Sequence, residues 1–161
     1  VTRLNTPTRL PSTLGGERAV SVSAGGFQCL ALTGSGAVWS WGQGGLGALG
    51  HGDHEDQWQP TKIEALAGQR VVAVSSGREH GLALTGDGDV WSWGFGGRGR
   101  LGHGNQHIQL LPKEIETFAG QRAITLSAGT RHSLALTADG AVWSWGDGED
   151  GQLGHGDTQL Q

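Results

Sequence analysis

Methionine and tyrosine are absent from the 161 residues, and cysteine occurs once, at Cys29. A single thiol closes no internal disulfide, which fits a reducing, intracellular setting, cytoplasmic or nuclear. With Val at position 1, no methionine and no signal or transit pattern at its start, the sequence reads as a segment of a longer protein. Lysine is scarce: Lys62 and Lys113 alone, within eleven Lys and Arg against fifteen Asp and Glu, for a net charge of −4. That balance lacks the basic stripe of a direct nucleic-acid contact. No run of 18 apolar residues occurs, so no membrane-spanning helix is expected. Proline is limited to four residues, too few for a disordered tract biased to Pro and Gly.

Against these absences stand 31 glycines and seven tryptophans. The glycines do not fall at every third position, which excludes collagen. Disordered chains are poor in aromatics, so the combination points to many tight turns around a packed apolar surface. An internal repeat explains both. Residues 24–53 read AGGFQCLALTGSGAVWSWGQGGLGALGHGD, 76–105 read SGREHGLALTGDGDVWSWGFGGRGRLGHGN, and 128–157 read AGTRHSLALTADGAVWSWGDGEDGQLGHGD. The interval is 52 residues both times, placing Trp39, Trp91 and Trp143, Trp41, Trp93 and Trp145, and His51, His103 and His155 in equal phase. Seventeen of the 30 positions are identical in all three copies, so the repeat sets the architecture. Upstream, Leu14-Gly15-Gly16 aligns with Leu66-Ala67-Gly68 and Phe118-Ala119-Gly120, with one extra residue in the first copy near Pro11.

Each unit reads as short strands. Val71–Ser75 is apolar and β-branched, Gly81–Thr85 follows, and the turn Gly86-Asp87-Gly88 leads into Val90–Trp93, a hairpin signal. A further strand is expected after each unit's glycine loop, as at Lys113–Ile115. On the Trp strand, Trp91 and Trp93 share one face while Val90 and Ser92 take the other. Ile63–Gly68 and Ile115–Gly120 have room for a helical turn. Four short strands per unit of about 50 residues is the arithmetic of a propeller blade. The expected fold is all-β: one array over 1–161, units at about 1–53, 54–105 and 106–157, forming three four-stranded blades of an incomplete propeller. Leu30, Leu32, Trp41 and their counterparts 52 and 104 residues on are expected between the sheets.

The motifs LALT-x-DG-x-VWSWG and QLGHGD resemble the repeats of the regulator of chromosome condensation family over essentially the whole chain. That resemblance implies seven-bladed propellers whose blades are offset from the sequence repeats. It also implies protein partners. The family's founding activity is guanine-nucleotide exchange on a small GTPase, aided by an inserted β-wedge, for which two intervals of 52 residues leave no room. Other members serve as interaction arms, including in HECT-type ubiquitin ligases. Light-sensing members use tryptophans within Gly-Trp-Arg-His-Thr, where this chain has Gly26, Arg78 and Thr130.

No set of residues here reads as catalytic, cofactor-binding or metal-binding. Three matches to G-x-G-x-x-G, beginning at Gly42, Gly94 and Gly146, run into Leu-Gly-His-Gly, which opens no helix and so forms no dinucleotide cradle. His51, His103 and His155 stand about one blade apart, where they do not converge as zinc ligands must. They read instead as turn histidines bonded to local backbone. Cys29, in a strand-like setting, reads as a small buried hydrophobe. Asp147, Glu149 and Asp150 read as solvated loop carboxylates.

Variation within the repeat is more informative, either as recognition or as drift at surface loops. After Gly25, Gly77 and Gly129, the loops are expected to share one rim, offering Arg78, Glu79, His80, Arg131 and His132 to a protein with acidic groups. Trp58, the only tryptophan outside the repeat phase, is either an interface anchor or a cover over Pro60. Three units leave two open faces, so self-association or additional blades are expected. The reading is a non-catalytic interaction scaffold. The alternatives are part of an exchange factor, or the substrate-recruiting arm of a ligase.

Overall fold

A computed structural model describes residues 3–10 and 13–158. The extra residue expected near Pro11 falls outside them. Among the described residues eleven strands form three antiparallel sheets in chain order. The first blade holds β1 (Ala19–Ala24), β2 (Gln28–Thr33), β3 (Val38–Gly42) and β4 (Gln57–Lys62). The second holds β5 (Val71–Ser76), β6 (His80–Thr85), β7 (Val90–Gly94) and β8 (Gln109–Glu114). The third holds β9 (Ala123–Ala128), β10 (His132–Thr137) and β11 (Val142–Gly146). The expected helical turns are single 3-10 turns, Glu64–Leu66 and Glu116–Phe118. Among the described residues no helix is long and apolar enough to cross a membrane.

One feature departs from expectation. The third blade has three strands among the described residues, not four. β4 and β8 begin 52 residues apart, at Gln57 and Gln109, the interval of the repeat. Each outer strand follows the Leu-Gly-His-Gly loop, so a blade draws its last strand from the next sequence unit.

The hairpin turns follow from local chemistry. Thr33 N–H donates to the Ala37 carbonyl at 3.0 Å, and Thr85 and Thr137 repeat the bond to Asp89 and Ala141. Gly36 has φ of +88°, and a Cβ there would stand 3.2 Å from the Val71 backbone nitrogen, so both conformation and space favour glycine.

The sheets stack through unlike faces. Leu30, Leu32 and Val38 of the first blade pack with Ile63 and Leu66 against Ala83, Trp91 and Trp93 of the second. Leu82, Leu84 and Val90 pack with Ile115 and Phe118 against Ala135, Trp143 and Trp145 of the third. The Leu face of one blade thus receives the Trp face of the next. Trp93 is fully buried and its indole N–H donates to the Ala48 carbonyl at 3.1 Å. Trp41, expected to be buried, is half-buried, because only Arg9, Leu10 and Leu14 with their neighbours flank its face. At the other end, Leu134 and Leu136 are half-buried for the same reason.

Candidate functional site

The β1–β2, β5–β6 and β9–β10 loops lie side by side. Gly25, Gly26 and Phe27, Gly77 and Arg78, and Gly129 and Thr130 line one shallow cleft of about 540 Å³. The innermost strands hold these loops in line: Ser76 N–H donates to Ser23 Oγ at 2.9 Å, and Ala128 N–H to Ser75 Oγ at 2.9 Å. Gly26 N–H donates to the Gly77 carbonyl at 3.1 Å, joining adjacent loops directly.

A second set of loops lies against the first. Gln43, Phe95 and Asp147, each just after a Trp strand, donate their N–H to the carbonyls of Phe27, Glu79 and Arg131. This pairing assembles a charged network across the second and third blades. Asp147 is buried, with Arg98 and Arg131 guanidinium nitrogens each 3.7 Å from its carboxylate. Arg98 also pairs with Glu149, which holds its guanidinium above the usual arginine range. Arg100 is buried: its Nε donates to the Gly97 carbonyl at 2.8 Å and its Nη1 to the Thr130 carbonyl at 3.2 Å. It lies 4.7 Å from the Phe95 ring centre and 3.7 Å from Glu79. Burial pushes its pKa down, Glu79 opposes that shift, and Arg131 adds to it.

Of the residues singled out from sequence, Arg78, Glu79 and Arg131 stand on this rim. Arg78 is exposed, rests 5.6 Å over the exposed Phe27 ring, and has no carboxylate partner among the described residues. His80 is different. It is wholly buried, with Nε2 2.9 Å from Ser133 Oγ, because the first position of β6 points between two blades. Ser133 Oγ donates to the Arg100 carbonyl at 3.0 Å, so His80 Nε2–H is the donor to Ser133. Burial, with Arg100 and His132 nearby, lowers its pKa to about 3. His80 is therefore a blade-to-blade tie, not a surface contact. Gln28 makes the same tie, donating to the Gly77 and His80 carbonyls at 3.1 and 3.2 Å. His132 holds this phase in the last blade and is half-buried.

Trp58 is 90% exposed on β4 and covers nothing, which corrects the reading as a lid over Pro60. Its counterpart Leu110 lies against Gly47 of the preceding blade. The repeat histidines bond to a serine hydroxyl eleven residues earlier: His51 to Ser40, His103 to Ser92 and His155 to Ser144, each at 2.9 Å. Sequence reasoning missed Asp147 as the centre of the network. The signal was the pairing of positions 131 and 147, opposite charges in two loops that the repeat phase brings together.

Residues 35–84 and 87–136 match the Regulator of chromosome condensation (RCC1) repeat. A second description of the same repeat matches residues 71–100 and 123–152. The chain belongs to this family. It is 45% identical over 141 residues to the mouse E3 ubiquitin-protein ligase HERC2, covering 86% of this chain and 3% of the ligase. It is 43% identical over 144 residues to the Arabidopsis thaliana Ultraviolet-B receptor UVR8, covering 89% of this chain and 33% of the receptor. Among solved structures, Prp20p of Saccharomyces cerevisiae superposes with a TM-score of 0.75 at 33% identity, over 87% of this chain and 35% of that one. The chain spans about a third, or far less, of the RCC1-repeat proteins it matches.

Proposed function

We propose that these RCC1 blades form a non-catalytic protein-interaction scaffold that recognises its partner on the rim around Phe27, Arg78 and Arg131. The observation that carries this reading is the Arg78–Phe27 pair: an exposed cation stacked on an exposed ring beside a cleft, with no carboxylate among the described residues to neutralise it. Arginine and aromatic side chains anchor interfaces because they offer broad apolar contact and directed hydrogen bonds together. The partner this suits bears a carboxylate next to an apolar side chain, met by the guanidinium and the ring at once. Prp20p was described with its binding properties to Gsp1p and histones, and HERC2 is a ligase. A partner-recruiting arm is the reading common to both settings. An intracellular location, cytoplasmic or nuclear, belongs to this reading and rests on the lone thiol. So does the completion of the array by further blades, from self-association or another chain.

The test is affinity capture from cell extract with the wild type, Phe27→Ala, Arg78→Ala/Arg131→Ala and Trp58→Ala, each checked by circular dichroism. The rim variants lose the captured partner by about tenfold or more, while Trp58→Ala retains it. Equal recovery by folded rim variants overturns the assignment.

A further inference from the structure

We infer that the blades carry a second interaction surface, at the end of the inner strands opposite the rim. There Arg18, Arg70 and Arg122, with Val20, Val72 and Ile124, bind an extended partner segment that sets carboxylates beside aliphatic side chains. This goes beyond the rim reading and shares no residue with it.

Three β-bulges make the surface. On β5, Val71 pairs with Thr85 and Ala73 with Leu84, so Val72 is the extra residue. β1 repeats this at Val20, between the Ala19–Thr33 and Ser21–Leu32 pairs. β9 repeats it at Ile124, between Ala123–Thr137 and Thr125–Leu136. A bulge re-aims its extra side chain out of the ladder. Val20, Val72 and Ile124 are accordingly 65%, 46% and 51% exposed, whereas Val71 and Ala123 beside them are at most 3% exposed. Val72 is exposed with a blade packed on either side. Strand propensity does not dictate the residue, because threonine fits a strand as well and is at ease in water. All three copies hold an aliphatic side chain out to solvent instead.

An exposed arginine stands two residues before each bulge. The hairpin of the same blade fixes its backbone: Gly34, Gly86 and Ala138 N–H donate to the Arg18, Arg70 and Arg122 carbonyls at 3.3, 2.9 and 2.8 Å. A Cβ on Gly86 would stand 3.7 Å from Val72 Cγ1 and 3.9 Å from Arg70 Cδ, so the arginine stem and the valine lie together over the turn. One on Gly88 would meet Arg122 Cγ at 2.6 Å, which sets the third arginine against the second blade's turn. The serine ties between inner strands hold the three pairs side by side, one per blade.

Among the described residues no carboxylate lies within ion-pair distance of these three arginines. Glu17 and Asp139, at the same end of the blades, are taken up by the Ser35 and Thr137 hydroxyls. Three guanidiniums without internal partners suit carboxylates from outside, which they hold through paired hydrogen bonds. The aliphatic neighbour of each arginine, and the chain's net charge of −4, favour a peptide over a phosphate backbone.

The experiment selects displayed random dodecapeptides on the whole chain. Enriched peptides are then measured by fluorescence anisotropy against the wild type, Arg70→Gln, Val72→Thr and Arg78→Ala, each checked by circular dichroism. Peptides that set Asp or Glu beside Leu, Ile or Val are expected to be enriched. Arg70→Gln and Val72→Thr each weaken their binding about tenfold, while Arg78→Ala leaves it unchanged. Backbone amide shifts on binding fall at residues 18–21, 70–73 and 122–125. No enrichment, or enrichment of peptides without acidic residues, overturns the surface. Enriched peptides that all depend on Arg78 and not on Arg70 overturn it too, and leave the rim reading standing. An oligothymidine that binds the wild type and loses binding in Arg70→Gln, where no peptide does, overturns the peptide as its occupant.

Discussion

Gln28, His80 and His132 occupy one phase of the repeat, and the first two perform one task with different chemistry. Gln28 ties the first blade to the second through its amide, and His80 ties the second to the third through Ser133. The imidazole adds a dependence on pH that the amide lacks. An unfolded chain protonates this ring below about pH 6.5, whereas the folded chain leaves it neutral down to about pH 3. Its contribution to stability is therefore whole above pH 6.5 and is lost as pH falls towards 3, at up to about 1.4 kcal/mol per pH unit. Exchanging His80→Gln copies the first blade's solution and flattens this fall. Urea midpoints measured from pH 7 to pH 4 are expected to decline less steeply in the variant. His51 and His103, whose pKa values burial also lowers, sustain the remaining slope. Parallel curves for both proteins would contradict the tie.

The strands were legible in the sequence because the repeat aligns three independent copies of each. Val90–Trp93 alternates tryptophan with smaller residues, the turn at Gly86–Gly88 closes a hairpin, and the 3-10 turns fall where Ile63–Gly68 and Ile115–Gly120 leave room. What was not legible was direction across the stack. Alternation puts Trp91 and Trp93 on one face but does not say that this face meets the Leu face of the preceding blade. Burial therefore differs between residues of identical phase: Trp93 is enclosed, Trp145 nearly so, and Trp41 half-buried. Truncation to alanine is expected to follow that order in denaturant midpoints. Trp93→Ala loses about 3–5 kcal/mol, Trp145→Ala the lower end of that range, and Trp41→Ala least. Three equal losses, or the largest at Trp41, would contradict the stacking. The rim residues were half-legible for a similar reason. Arg78 and Arg131 stand out as variable positions, but the inward turn of His80 and the burial of Asp147 depend on contacts between neighbouring blades.

At the scale of the molecule, three RCC1 blades stack with unlike ends and one rim where variable loops gather. Rigid repeats fix the spacing of these loops, so under the proposed function a few exchanged side chains on a constant frame discriminate between partners. Recognition at the rim is the central claim, and hydrogen exchange on the chain bound to its captured partner tests it most directly. The account predicts new protection at residues 25–28, 77–79 and 129–131, with the hairpin turns at 34–37, 86–89 and 138–141 unchanged. Protection confined to those opposite turns, with the rim loops exchanging as in the free chain, would contradict it.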